Sequence, residues 1–216
     1  MEKILKMKVD KIKNKEQKKA INFWAKNKFN GSIIAGTGFG KTRIGVIAVG
    51  ETLKRDPNAN ALVLVPTVNL KEQFEDEFHK WNYSNFIDRV EFMCYQSAYK
   101  LKEKNYKIVI CDEIHLGLRP EYRMFFYNNT YDRLLCMTAT LPEEKDYKNL
   151  LLKLAPVVYT ITLDECVSLG IVAPYIIECI PIKLTSIESS EYKKINNKFV
   201  YWKYQLGQFN AFDEAK

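Results

Sequence analysis

The sequence predicts a doubly wound α/β domain built on a parallel sheet, and three observations carry that prediction. Short apolar, β-branched runs alternate with longer amphipathic stretches from about residue 32 to residue 169, which is the rhythm of strand–helix–strand units. A glycine-rich loop lies between the first such run and the first long amphipathic stretch, the junction where α/β proteins hold anions. Two later apolar runs end in acidic or hydroxylated residues, and ligands of such folds sit at the carboxyl ends of the strands.

Taken in order, residues 11–28 carry Ile12, Ala20, Ile21, Phe23 and Trp24 among lysines, a helical spacing that ends at the Asn30-Gly31 turn signal. Strands are predicted over 32–35, 61–65, 90–95, 107–111 and 133–137, with helices over 41–55, 70–81 and a short one over 97–103. A strand over 157–161, a short helix over 163–169 and an extended run over 175–182 follow. A polar break at 185–190 leads into a tyrosine- and lysine-rich helix over 191–206, and residues 207–216 read as a frayed end. The predicted organisation is a basic helical segment over 1–30, an α/β domain over 31–182 and a helical linker over 183–216.

Composition narrows the class. With 216 residues, 47% of them hydrophobic, the chain has enough apolar material for a core. It holds no apolar run of about 18 residues and its N-terminus is rich in lysine, so no membrane partner or secretion signal is predicted. The expected location is the cytoplasm, or the nucleoid or nucleus. Usage rich in lysine, asparagine and tyrosine hints at an AT-rich genome, which makes a viral protein in a host cytosol one of the candidates. The five cysteines, Cys94, Cys111, Cys136, Cys166 and Cys179, are odd in number and never in a C-x-x-C pair, which argues against a disulfide framework or a zinc site. The formal charge of +7 is local: residues 1–30 hold ten lysines and three acids, and the remainder sums to zero. That segment reads equally as a solvated lysine helix and as a phosphate-contacting one.

Three short segments carry chemistry. Ala35-Gly36-Thr37-Gly38-Phe39-Gly40-Lys41-Thr42 fits a phosphate-binding loop, with Ala35 where the general pattern has its first glycine. Glycines let successive backbone N–H groups surround phosphate oxygens, and the following helix aims its positive end at the same anion. Lys41 supplies a charge for the β- and γ-phosphates of ATP, and the Thr42 hydroxyl a hard oxygen for Mg²⁺. Asp112-Glu113-Ile114-His115 ends an apolar strand; Asp112 is the second candidate for Mg²⁺ and Glu113 the candidate base for the attacking water. Thr138-Ala139-Thr140 ends another, with hydroxyls suited to bonding His115.

With Val65-Pro66-Thr67, Leu70, Gln73 and Tyr95-Gln96-Ser97, these segments in this order resemble motifs I, Ia, Ic, II and III of superfamily 2 helicases. The Asp-Glu-Ile-His pattern and the stretch 163–174 resemble the branch of XPB-type, UvsW-type and type III restriction translocases, and the resemblance covers residues 10–182. It implies a RecA-like ATP-binding domain, the first of two, whose catalytic groups are Lys41, Asp112 and Glu113 and whose nucleotide is held by Gly36, Thr37, Gly38, Phe39, Gly40, Lys41 and Thr42. It also implies coupling through His115, Thr138 and Thr140, and backbone contacts to nucleic acid, DNA ahead of RNA, from Pro66, Thr67, Gln96 and Ser97. On their own those four residues read equally as a strand-to-helix turn and a helix cap. Gln17 lies 24 residues before Lys41, similar to the glutamine that recognises adenine in many members, though Asn14 and Glu16 depart from the usual flanks and a plain surface glutamine is the competing reading. The family's second RecA-like domain, in the same chain or another, would supply arginines to the γ-phosphate, so this chain alone is expected to bind ATP and turn it over slowly. The alternatives are a structural or assembly module that keeps the fold without the motor, and a phosphate-loop ATPase acting on protein or a small molecule.

Overall fold

Runs such as Ala61–Val65, Ile108–Asp112 and Leu134–Thr138 are buried along their whole length, so both faces of the sheet they form must be covered. The computed structural model describes residues 2–176, 178 and 180–208, with side chains over 10–176, 178, 180–202 and 204–205. In chain order the elements are α1 (Glu2–Lys26), β1 (Asn30–Ala35), α2 (Lys41–Arg55), β2 (Ala61–Val65), α3 (Val68–Lys80), a 3-10 turn (Ser84–Arg89), β3 (Val90–Cys94) and α4 (Tyr95–Ala98). They continue with β4 (Asn105–Tyr106), β5 (Ile108–Asp112), α5 (Ile114–Gly117), α6 (Met124–Asn128), β6 (Thr130–Tyr131) and β7 (Leu134–Thr138). The last are α7 (Lys145–Leu154), β8 (Val157–Ile161), α8 (Leu163–Ser168) and α9 (Ser186–Gln208).

The main sheet has six strands in the order β3-β2-β5-β7-β1-β8, every pair parallel, and β4 with β6 make a separate two-stranded ribbon. Strand alternation sorts the core into two layers. Val63, Val65, Ile108, Ile110 and Met137 pack under α1, α2 and α3 with Trp24, Ile44, Val49, Phe74 and Phe78. Leu62, Leu64, Val109, Cys111 and Cys136 pack on the other face with Tyr95, Tyr106, Phe125 and Leu151. This is a doubly wound, RecA-like α/β domain.

The chain divides into two units, Met1–Pro174 and Tyr175–Lys216, where the sequence sets the boundary at residue 182. The basic N-terminal segment belongs to the first unit. Its helix docks through Trp24, whose buried indole N–H donates to the Leu134 carbonyl at 2.8 Å and meets the Phe29 ring edge-on at 5.2 Å. In the second unit, α9 starts inside the predicted polar break. Glu188 accepts from the Thr185 N–H at 2.8 Å while its own N–H donates to the Thr185 hydroxyl at 3.3 Å, a reciprocal cap that starts a helix at Ser186.

Other expectations shift for local reasons. The helix predicted over 97–103 is the single turn α4, because Asn129 donates to the Leu101 carbonyl at 2.9 Å and accepts from the Lys104 N–H at 3.0 Å, holding that segment open. The run over 175–182 forms no strand among the described residues. α9 continues through residues 207–208; Cys179 and residues 209–216 lie outside the described residues.

Replacing Trp24 with Ala removes a buried ring and its hydrogen bond, so it should lower the unfolding free energy by about 3–5 kcal/mol. Urea denaturation checks this; a loss below about 1 kcal/mol would mean that α1 is not part of the cooperative core.

Candidate functional site

Sheet register assembles the site. Asp112 of β5 pairs with Met137 of β7, and Thr138 of β7 pairs with Ile34 of β1. Three parallel strands therefore end side by side, and the segments that leave them (36–40, 113–115 and 139–140) share one edge of the sheet.

The loop after β1 is shaped by sterics. Gly38 and Gly40 have φ of 85° and 89°, the left-handed region that glycine enters at no steric cost. At Gly36 the limit is space: a Cβ there would stand 2.9 Å from the Leu163 Cα. Phe39 is fully buried and stacks on Tyr159, ring centres 6.1 Å apart, so it anchors the loop through its side chain, and its N–H donates to the Gly36 carbonyl at 3.2 Å. Thr37 and Gly38 are exposed and Thr42 is half-buried in the first turn of α2. The long α2 begins at Lys41, placing its unpaired N–H groups at the loop.

Helix α1 supports the loop from behind. Gln17, only 2% exposed, is not a surface glutamine. Its amide N–H₂ donates to the Phe39 carbonyl at 2.7 Å and lies 3.4 Å from that of Gly40, while its oxygen accepts from Arg43 at 2.9 Å. Carbonyls demand the nitrogen and a guanidinium the oxygen, so the partners fix the amide's orientation and use both its ends. One turn earlier, Lys13 Nζ donates to the Gly38 carbonyl at 2.8 Å. Asn14 also accepts from Arg43, whose guanidinium lies 3.8 Å over the Trp81 ring, a stacked cation–π contact. The sequence reading missed Lys13, Arg43 and Trp81; the i, i+4 spacing of Lys13 and Gln17, continued by Ala20 and Trp24, was the available signal.

At the end of β5 the acids gather. Glu113 sits at φ 47°, ψ 56°, a left-handed conformation that costs a non-glycine residue of the order of 1–3 kcal/mol. It aims the carboxylate back across the sheet edge. One oxygen lies 3.7 Å from Lys41 Nζ; the other is 3.0 Å from the Thr138 hydroxyl and 3.4 Å from His115 Nδ1. Lys41 Nζ also donates to the Ala35 carbonyl at 3.1 Å. The Thr138 hydroxyl lies 3.1 Å from His115 Nδ1 and 3.1 Å from the Thr140 carbonyl, so Thr140 enters through its backbone while its side chain is exposed. Asp112 is buried, and its carboxyl is pushed up to about 6, first by loss of water and then by Glu113, against the opposing pull of Lys41.

The donor set suits a nucleotide with a hard cation. A glycine-shaped loop, a helix start and Lys41 favour phosphate. The Asp112 carboxylate and the Thr42 hydroxyl are hard oxygens, and a cation beside Asp112 would oppose the burial that raises its pKa. Among the described residues no cluster of three or more His, Cys, Asp or Glu side chains is placed to bind a metal by itself.

Pro66 and Thr67 follow β2, and Gln96 and Ser97 lie in the single turn of α4, which directly follows β3. Val65 pairs with Cys94, so the two turns are neighbours on the same edge; Thr67, Gln96 and Ser97 are exposed. Between them and the acids runs a buried link that the sequence reading did not anticipate. The Tyr95 hydroxyl donates to the Asp112 carbonyl at 2.8 Å, and burial holds it well above its ordinary pKa.

Residues 10–143 match the family described as type III restriction enzyme, res subunit. The curated proteins give no match. Among solved structures, the chain is similar to a nuclease-deletion mutant of the type ISP restriction-modification enzyme LlaGI in complex with a DNA substrate mimic: TM-score 0.53, 18% identity, 72% of this chain and 20% of that one. It is similar to the Sulfolobus solfataricus SWI2/SNF2 ATPase core in complex with dsDNA, with TM-score 0.51, 21% identity and coverage of 67% and 35%. The UvsW helicase from bacteriophage T4 gives TM-score 0.52, 12% identity and coverage of 68% and 58%. The chain thus spans less than two thirds of each of these proteins, and at such identities the likeness establishes the fold.

A carboxyl held above its ordinary range destabilises the fold once it must ionise, fully above about pH 6 and not below about pH 4. Asp112→Asn should therefore raise the stability of the nucleotide-free protein at pH 8 by up to about 3 kcal/mol, and the gain should vanish near pH 4. Thermal melts across that range check it; a gain that ignores pH would assign the effect to something other than ionisation.

Proposed function

Because the chain belongs to the type III restriction enzyme, res subunit, family, we propose that residues 31–182 form the ATP-binding half of a motor that couples ATP hydrolysis to movement on nucleic acid, DNA ahead of RNA. The observation that carries this reading is the convergence of the loop lysine and the strand-end glutamate: Lys41 Nζ and Glu113 lie 3.7 Å apart at the carboxyl edge of a parallel sheet. DNA is favoured by the families and complexes the fold resembles, including the LlaGI and SWI2/SNF2 structures with bound DNA.

In this reading Lys41 exchanges its present partners, the Ala35 carbonyl and Glu113, for phosphate oxygens of ATP, whose phosphates lie along the backbone of Gly36 to Gly40. Thr42 and Asp112 would hold Mg²⁺, which supplies positive charge to the phosphates when bound. Glu113, released from Lys41, accepts a proton from the attacking water. His115 and Thr138 hold the other carboxylate oxygen and pass its state to the segment carrying Thr140. Pro66, Thr67, Gln96 and Ser97 meet the nucleic-acid backbone, contacts that position a strand without reading its sequence, and the Tyr95 hydroxyl links that turn to Asp112. Gln17 serves the nucleotide through the loop it braces. A second RecA-like domain, in the same chain or in a partner, contributes arginine to the γ-phosphate; such groups are worth about 10³–10⁵ in rate, so residues 31–182 without it are a slow ATPase. Residues 183–216 are the connection towards that domain. A purely structural module has no chemical need for the Lys41, Asp112 and Glu113 set, and the motor reading uses all three.

Glu113→Gln should leave ATP affinity within about threefold and lower polynucleotide-stimulated hydrolysis in the complete enzyme by on the order of 10²-fold or more. Fluorescent-nucleotide titration and phosphate release, with and without DNA or RNA, check both halves; retained hydrolysis would remove Glu113 from the chemistry. Gln17→Ala should weaken ATP and GTP binding alike, by about tenfold through loss of the loop's support. Loss confined to ATP would make Gln17 a reader of the base instead.

A further inference from the structure

Helix α1 uses one face on the loop and the core. Its opposite face carries Lys11, Lys15, Lys18, Asn22 and Lys26, spaced by three or four residues and so aligned on one side of the helix. All five are exposed, and at 1.5 Å per residue the row is about 22 Å long. Among the described residues no carboxylate pairs with Lys15, Lys18 or Lys26; the nearby Glu16 accepts from the Tyr159 hydroxyl at 2.7 Å and pairs with Lys19 at 3.5 Å. Lysines three and four apart repel one another along a helix, and it is the docking of Ala20 and Trp24 that holds them in line. Beside the row Phe23 is 42% exposed, and together with Lys15, Lys18, Lys19, Asn22 and Lys26 it lines a groove of about 380 Å³.

We propose that this face is a second nucleic-acid surface, in which the lysine row holds the phosphates of a single strand and Phe23 receives an unpaired base. The proposal rests on the reading that the chain works on nucleic acid, but it involves none of the residues assigned to the turns after β2 and β3. Charge complementarity selects a polyanion, and an aromatic ring set among lysines is how sequence-independent single-strand sites are built. A membrane surface fits less well, since an interfacial helix needs an apolar face for lipid and α1 has already buried its own.

The test is binding of labelled oligothymidylate by this chain, followed by anisotropy across a salt series. Lys15→Gln, Lys18→Gln and Lys26→Gln together should reduce the slope of log K against log salt by about 2, at roughly 0.7 per contact, and weaken binding at least about tenfold at low salt. Phe23→Ala should weaken binding about fivefold or more and leave the slope unchanged. Thr67→Ala with Ser97→Ala reports separately on the turns and should leave the slope near that of the parent. Thermal melts confirm that each variant is folded. The proposal is overturned if the folded triple variant keeps the parent's slope, or if it binds oligothymidylate normally while losing affinity for phosphatidylserine vesicles. If the turn variant alone abolishes binding, the reading of the chain as a nucleic-acid motor stands and the α1 surface falls.

Discussion

The parallel register of β5, β7 and β1 is the constraint on which the rest of the molecule depends. Because Asp112 stands beside Met137 and Thr138 beside Ile34, three segments distant in sequence leave the sheet within reach of one another. A slip of one residue in any of these strands would turn its side chains to the opposite layer, mixing the Val63 and Ile110 face with the Leu62 and Val109 face. The two apolar layers therefore do more than stabilise the domain. They fix which atoms of Lys41, Glu113 and Thr138 can meet.

The second support is α1, whose two faces do different work. Inward, Lys13 and Gln17 hold the carbonyls of Gly38 and Phe39, while the N–H groups of Gly36 and Phe39 donate to the Ile161 and Gly36 carbonyls. Loops that hold phosphate must present donors, and fastening the acceptors from behind favours that presentation. Arg43 and Trp81 extend the brace from α1 through α2 to the end of α3.

Much of this was legible in the sequence, and the parts that were not share a cause. The β-branched runs gave the strands because burial on both faces leaves no polar residue to blur them, and the glycine loop announced itself because backbone conformation is written directly in residue type. Contacts made by long polar side chains across elements leave no such trace: Lys13 looks like any lysine of a basic helix, and Arg43 like any arginine of an amphipathic one. The departures at Asn14 and Glu16 proved to be contacts, with Arg43 and Tyr159 respectively. The open segment over 101–104 depended on Asn129, about 25 residues further on, beyond the reach of local periodicity. Nothing in the residue type signalled the left-handed backbone of Glu113, since the strain is imposed by the sheet edge it must face.

A hydroxyl has a single proton, and that of Thr138 has two oxygen acceptors at almost equal range: a carboxylate oxygen of Glu113 at 3.0 Å and the Thr140 carbonyl at 3.1 Å. Only one of the two can be a straight, strong hydrogen bond at a time. While the proton points to Glu113, the carbonyl two residues on is not its partner; when it points to that carbonyl, the carboxylate oxygen has His115 as its remaining neighbour. The segment after β7 is thereby tied to the glutamate and, through His115 Nδ1 at 3.1 Å from the same hydroxyl, to the histidine. At the centre of the site one hydroxyl group is the common neighbour of a carboxylate, an imidazole and a main-chain carbonyl.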